Sequence, residues 1–225
     1  LAIQEFQWAR SLVTILLEHT PRYWNSLPLK LKIQFAFSQF WYLLFSLSML
    51  AFLFIPPFAL FSGVAWVDVI YLSFLWQIFF VIALLLLINR YLAKLGFVRP
   101  LYAKILSWEA ALFIFVRWPW SLLGCAAAVK DRITGSIAEF KITPKSGGST
   151  DSKVPLRFSL PYLVLSIFSI SPVFLVQETG SASGYVIFSA INALIYGWAY
   201  AIIALAQTAE PAALDSSNLQ AGNQH

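Results

Sequence analysis

Residues Ile33–Val67 contain no charged side chain, and this long run most constrains the fold. A helix needs about 20 apolar residues to cross a bilayer. The run therefore predicts a membrane span at Ile33–Ile55, with Pro56 and Pro57 ending the helix. Only 11% of the 225 residues are charged, against about a quarter in soluble domains. The chain is therefore predicted to be an integral membrane protein.

Three further apolar segments bring the predicted number of spans to four. They lie at Val69–Ile88, Phe158–Val176 and Gly184–Ala206. Residues 1–32 place apolar and polar side chains on opposite helical stripes, which is typical of an amphipathic helix in the membrane interface. Pro21 is expected to end this helix. The polar tail at 209–225 is predicted to be disordered.

The segment Ala110–Val129 is apolar, and two interpretations of it are open. As a fifth span it would place Arg117 near the middle of the membrane, at a cost of about 2.5–3.5 kcal/mol. Pro119 interrupts the segment, and its neighbouring tryptophans are typical of an interfacial belt. We therefore expect one or two interfacial helices here.

The basic residues support four spans. With four spans, all 15 Lys and Arg residues fall on one side of the membrane. The positive-inside rule then places residues 90–157 and both termini in the cytoplasm of a multi-pass cell-membrane protein. Membrane topology and contact with anionic lipids account for the net charge of +5, so no nucleic-acid partner is expected.

Two short motifs carry information about function. The sequence QEFQW at 4–8 resembles Q-x-x-R-W, and FKITPK at 140–145 resembles F-x-V-T-x-K. In this order, and between these apolar segments, they resemble the C-terminal membrane part of a family-2 processive glycosyltransferase of the bacterial cellulose synthase type. The resemblance implies an all-α membrane fold with four transmembrane helices, interfacial amphipathic helices and a cytoplasmic gating loop. Its segments would be an interfacial helix at 1–32, a helix pair at 33–89, a cytoplasmic or interfacial segment at 90–157, a second pair at 158–208 and the tail at 209–225.

The first motif implies contacts with both substrates. Trp8 would support the glycan acceptor, because sugar C–H faces pack on aromatic rings. Gln4 would contact the nucleotide-sugar donor. Gln7 stands where the family has an arginine near the donor diphosphate, so a charge-assisted contact is missing there. Arg10 lies three residues further on and is the candidate to compensate.

The second motif implies a gating loop that closes over the donor site and opens to release the product nucleotide. Phe140 and Ile142 would enter the pocket as apolar plugs. Thr143 would hydrogen-bond a phosphate, and Lys141 and Lys145 would screen its charge. The alternative is an ordinary charged cytoplasmic loop.

Polar and aromatic stripes on the spans are candidates for a glycan channel. In the first span the candidates are Gln34, Ser38, Trp41 and Tyr42. The last two spans carry similar stripes, at Ser159, Tyr162, Ser166 and Ser169 and at Ser189, Asn192, Tyr196 and Tyr200. Hydroxyl and amide groups also serve helix packing in membranes, which is the alternative interpretation.

The chemical machinery of glycosyl transfer is not visible in this sequence. No paired carboxylates suggest a general base or a metal site, and the Mg or Mn ion that the family implies would have its ligands outside this chain. Because the sequence begins at Leu1, we interpret it as a fragment that follows a catalytic domain. Donor, acceptor and membrane lipids are the expected partners. The alternatives are a non-enzymatic four-span transporter component or scaffold, and a non-processive lipid glycosyltransferase.

Overall fold

The fold is described from a computed structural model. It describes residues 2–66, 71–98, 105, 107–136, 155–176 and 180–221, with backbone alone for 71 and 206–221. Every regular element in these ranges is helical. The α-helices are α1 (Ala2–Thr14), α2 (Thr20–Tyr23), α3 (Leu29–Ser62), α4 (Tyr71–Lys94), α5 (Trp108–Thr134), α6 (Leu160–Leu175) and α7 (Tyr185–Ala221). The predicted all-α class is confirmed.

Within the described residues, four helices are long and apolar enough to cross a membrane, and three of them overlap predicted spans. They are Leu29–Ser62, Leu72–Lys94, Trp108–Thr134 and Tyr185–Leu205. α6 has only 16 residues and is about 24 Å long, which is shorter than a bilayer core of about 30 Å. α5 is one continuous helix through Pro119. Its interfacial placement stays a prediction.

The core lies where α3, α5, α6 and α7 meet, around Leu53 and three large aromatic side chains. Trp118 Nε1 donates to the Tyr196 hydroxyl at 2.7 Å, and the Tyr162 hydroxyl donates to the Val116 carbonyl at 2.7 Å. Tyr162 and Tyr196 are almost fully buried. Paired polar atoms of this kind hold apolar helices together in a defined register.

The predicted end of the first span at Pro56 and Pro57 is wrong, because α3 continues through both prolines and ends only at Gly63. Pro56 has no N–H with which to bond the Phe52 carbonyl four residues earlier. The side-chain amide of Asn192, on α7, donates to that carbonyl at 3.2 Å instead. Neighbouring helices often supply such partners in membrane bundles, which is why proline is tolerated there.

Asn192→Leu is expected to lower the free energy of unfolding by about 1–3 kcal/mol, since the buried Phe52 carbonyl loses its donor. Adding Pro56→Ala restores an intrahelical donor, so the double variant should recover most of that loss. Denaturant unfolding in detergent micelles, read by helical circular dichroism, measures both. If the two substitutions have simply additive effects, Asn192 does not compensate for Pro56.

Pro21 does not end the N-terminal helical path either. The chain widens into a π-helical turn at Ile15–His19, where the Thr20 N–H bonds the Ile15 carbonyl, and α2 then continues to Tyr23. Pro21 stands in the first turn of α2, where a missing backbone N–H is tolerated. The Thr20 hydroxyl donates to Gln39 Oε1 at 2.7 Å, which ties this turn to α3.

No part of the most apolar window of α4 is buried, as is typical of a helix that faces lipid.

α7 runs to Ala221. The predicted disordered tail therefore has helical backbone at 211–221, where alanine and leucine favour a helix, while 222–225 lie outside the described residues.

Candidate functional site

The helix that carries the first motif, α1, packs most closely on α5. Gly124 on α5 permits this approach. A Cβ atom there would overlap the Phe6 carbonyl oxygen and would lie 3.0 Å from Ala9 Cβ and 3.1 Å from the Arg10 nitrogen. The two backbones are therefore nearly in contact. The motif helix is a packed element of the bundle and not a loosely attached one.

A buried ion pair joins the two helices beside this contact. Glu5 is 1% exposed, and its Oε2 accepts a hydrogen bond from Arg117 Nε at 3.0 Å and lies 3.0 Å from Arg117 Nη2. The Ser121 hydroxyl donates to the same oxygen at 3.2 Å, and Arg117 Nη2 reaches the Tyr42 hydroxyl at 3.4 Å. A buried charge is tolerated when it is paired and hydrogen-bonded in this way. The pair therefore explains how an apolar helix accommodates Arg117.

Aromatic rings surround the Arg117 guanidinium. Its central carbon lies 5.3 Å from the ring centre of Phe113, 5.4 Å from that of Phe45 and 5.6 Å from that of Tyr42. Ring faces attract cations at such distances, and the attraction is stronger where water is excluded. The arginine is therefore held both by aromatic groups of α3 and α5 and by Glu5 of α1.

A second ion pair fixes α1 further along. Arg10 Nη2 and Nε lie 2.6 and 2.7 Å from Asp131 Oδ2, and the Ser136 hydroxyl donates to Oδ1 of the same carboxylate at 3.2 Å. α1 is thus attached to α5 by two ion pairs, with the Gly124 contact between them.

The structure divides the four substrate-contact candidates Gln4, Gln7, Trp8 and Arg10 between two faces of α1. Gln4 and Trp8, one turn apart, are both exposed, and Trp8 is 52% exposed. Gln7 is buried, and Arg10 is partly buried against Asp131. The exposed face of Gln4 and Trp8 is the candidate functional site, and we call it the α1 platform.

The channel candidates are also divided. Gln34, Ser38 and Trp41 lie on exposed surface of α3, where the Trp41 ring stacks on Phe45 with centres 6.2 Å apart. Tyr42 is buried and faces Arg117. Most polar side chains of the stripes on the last two predicted spans are buried among the helices, as the packing alternative predicts. These buried residues are Ser159, Tyr162, Ser169, Ser189, Asn192 and Tyr196.

Other predicted site residues cannot be placed. The gating-loop candidates Phe140, Lys141, Ile142, Thr143 and Lys145 lie outside the described residues.

The resemblance implies a divalent metal whose ligands lie outside this chain, and nothing in the described part of the chain indicates a metal site. That part contains no group of three side chains that could hold a metal ion. Glu5 and Asp131, the two acids at the α1–α5 contact, are each paired with an arginine.

Sequence reasoning missed Glu5 and Gly124, and it treated Arg117 as an uncompensated charge. One signal was present, because an arginine in an apolar segment needs an acidic partner. Glu5 and Arg117 are 112 positions apart, however, and spacing alone does not identify partners at that separation.

None of the protein families, curated proteins or solved structures compared with this chain matches it. The helices themselves define an all-α architecture, and the four long apolar helices indicate a multi-pass membrane protein.

Proposed function

We propose that the chain is the C-terminal membrane portion of a family-2-like glycosyltransferase, which transfers sugar from a nucleotide-sugar donor to a growing glycan. The α1 platform is the observation that carries the proposal. Trp8 presents an exposed ring from a helix that two ion pairs hold in place. A fixed, open aromatic face is what an acceptor platform requires, because sugar C–H groups pack on rings.

The donor contacts follow from the same face. Gln4 is exposed one turn from Trp8 and can hydrogen-bond a donor beside the acceptor. Gln7 is buried, and Arg10 is bound to Asp131. Donor binding by either of these two residues would require a rearrangement of α1. We therefore assign the donor contact within this motif to Gln4 first.

The remaining parts of the proposal rest on the resemblance. Residues 140–145 would form the gating loop, and the exposed face of α3 with Gln34, Ser38 and Trp41 would line part of the glycan path. A catalytic domain elsewhere in the full-length protein would supply the general base and the metal ligands. If α5 is interfacial, as the sequence predicts, the positive-inside rule supports a cell-membrane location with residues 90–157 and both termini on the cytoplasmic side.

Trp8→Ala in the full-length protein is expected to reduce glycan synthesis by about a hundredfold or more, because the acceptor end loses its platform. Incorporation of radiolabelled sugar from a nucleotide sugar, measured in isolated membranes, tests this. Immunoblotting should show an unchanged amount of protein in the membrane. Trp76→Ala is the matched control, since Trp76 on α4 is similarly exposed at 62% and lies on a different helix. If the Trp8→Ala and Trp76→Ala variants synthesise glycan equally well, Trp8 is not the acceptor platform.

A further inference from the structure

We propose that Glu5 and Arg117 are positioning residues for the acceptor site, since their buried ion pair sets the rotation of α1 and thereby the direction in which Trp8 faces. This inference rests on the proposed function. Neither residue reaches the α1 platform surface: Glu5 is 1% exposed, and Arg117 points into three aromatic rings. They act through the helix that carries Trp8.

Helix geometry links the pair to the platform. Glu5 and Trp8 are three residues apart and project about 60° from each other around the helix axis. With side chains, a helix has a radius of about 5–6 Å, so a 20° rotation moves a surface group by about 2 Å. Misplacing a substrate contact by about 1 Å can cost a hundredfold in rate. If Glu5 no longer fixes the rotation of α1, even a small rotation therefore displaces Trp8 far enough to affect the rate.

The Glu5–Arg117 pair defines rotation better than the other two α1–α5 contacts. At Gly124 the helices meet through a residue without a side chain, so that contact limits their separation more than their relative rotation. In the Arg10–Asp131 pair the carboxylate is 13% exposed, against 1% for Glu5, while the two arginines are 17% and 21% exposed. Glu5 is buried, and its Oε2 accepts hydrogen bonds from Arg117 Nε and the Ser121 hydroxyl and lies 3.0 Å from Arg117 Nη2. A carboxylate that leaves such a site must take its charge through apolar surroundings, which is costly.

Acceptor kinetics test the inference in the full-length protein. UDP-glucose and UDP-N-acetylglucosamine serve as donor probes, and cellohexaose and chitohexaose as added acceptors. For the pair that the wild type uses, Glu5→Gln and Arg117→Gln should raise the acceptor KM about tenfold or more. The donor KM should rise less than the acceptor KM, because α1 contributes only Gln4 to donor binding and the proposed catalytic domain supplies the other donor contacts. Arg117→Lys, which keeps the charge, should restore most of the acceptor KM.

The control for general destabilisation is Leu53→Ala. Leu53 is fully buried in the α3–α5–α6–α7 core and does not belong to the cluster that includes α1 residues. It should lower stability without changing the acceptor KM. An acceptor KM that rises equally in Leu53→Ala and Glu5→Gln would overturn the inference.

A distance measurement separates this inference from the proposed function. Spin labels at Gln4→Cys and Ala126→Cys, both exposed positions on the two helices, are introduced in a Cys125→Ser background. Double electron–electron resonance should give a narrow distance distribution with Glu5 present and a clearly broader one with Glu5→Gln. If Glu5→Gln does not accumulate, Glu5→Gln with Arg117→Met removes both charges and should give the same broadening. An unchanged distribution overturns positioning, whereas broadening in a full-length protein whose glycan synthesis is unaffected by Trp8→Ala supports positioning of α1 and contradicts the proposed function.

Discussion

Gly124→Ala is expected to force α1 away from α5 and to lower the free energy of unfolding by about 2–3 kcal/mol, at the upper end of overpacking effects. The added Cβ would overlap the Phe6 carbonyl oxygen and press on Ala9. Backbone atoms cannot move aside as the end of a long side chain can, so one whole helix has to shift. Thermal unfolding in detergent, followed by circular dichroism, measures the loss.

The chain contains its own reporter for this shift. Cys125 is the single cysteine, it is buried, and it follows Gly124 directly. In Gly124→Ala the thiol should react with N-ethylmaleimide faster than in the wild type, because the α1–α5 contact that covers it is opened. Ala126→Val is the matched control, since Ala126 is exposed on the same helix. Slow labelling in both variants, with unchanged stability, would show that the helices do not meet at Gly124.

The sequence predicted the fold class well because hydropathy is a local property. Runs such as 33–55 must cross a membrane or be buried, whatever the rest of the chain does. Helix boundaries were less predictable. Pro56 ends a helix only if nothing replaces its missing donor, and the replacement, the Asn192 amide on α7, lies 140 positions from the carbonyl that it serves. That tertiary contact cannot be read from the local pattern.

Part of the candidate site was also predictable, because the spacing of residues along a helix is a local property. The motif placed Gln4 and Trp8 on a helix, and their spacing of four residues put them on one face. The sequence did not show that Gln7 and Arg10 would be covered, since this depends on where α5 packs. It also treated Arg117 as a charge that opposes membrane insertion, because its partner Glu5 is distant in the chain. The same arginine is what holds the motif helix to α5.

Arg117→Met is expected to lower the free energy of unfolding by about 3 kcal/mol or more, which is the usual effect of removing one partner of a buried ion pair. Methionine keeps an unbranched apolar stem to pack near Tyr42, Phe45 and Phe113, so most of the loss is expected to be electrostatic. The effect comes from Glu5, whose buried carboxylate is left with the Ser121 hydroxyl as its remaining donor. Urea or SDS titration in mixed micelles, followed by circular dichroism, measures it.

The double variant Glu5→Met with Arg117→Met decides whether charge is the cause. With both charges removed, stability should return to within about 1 kcal/mol of wild type, since apolar side chains often replace a buried pair without loss. Arg10→Met should cost less than Arg117→Met, because the Asp131 carboxylate it leaves is more exposed than Glu5. If the double variant is as unstable as Arg117→Met alone, packing of the arginine stem and not the charge of Glu5 holds α1 against α5. The Glu5–Arg117 pair would then be a consequence of the helix contact and not its cause.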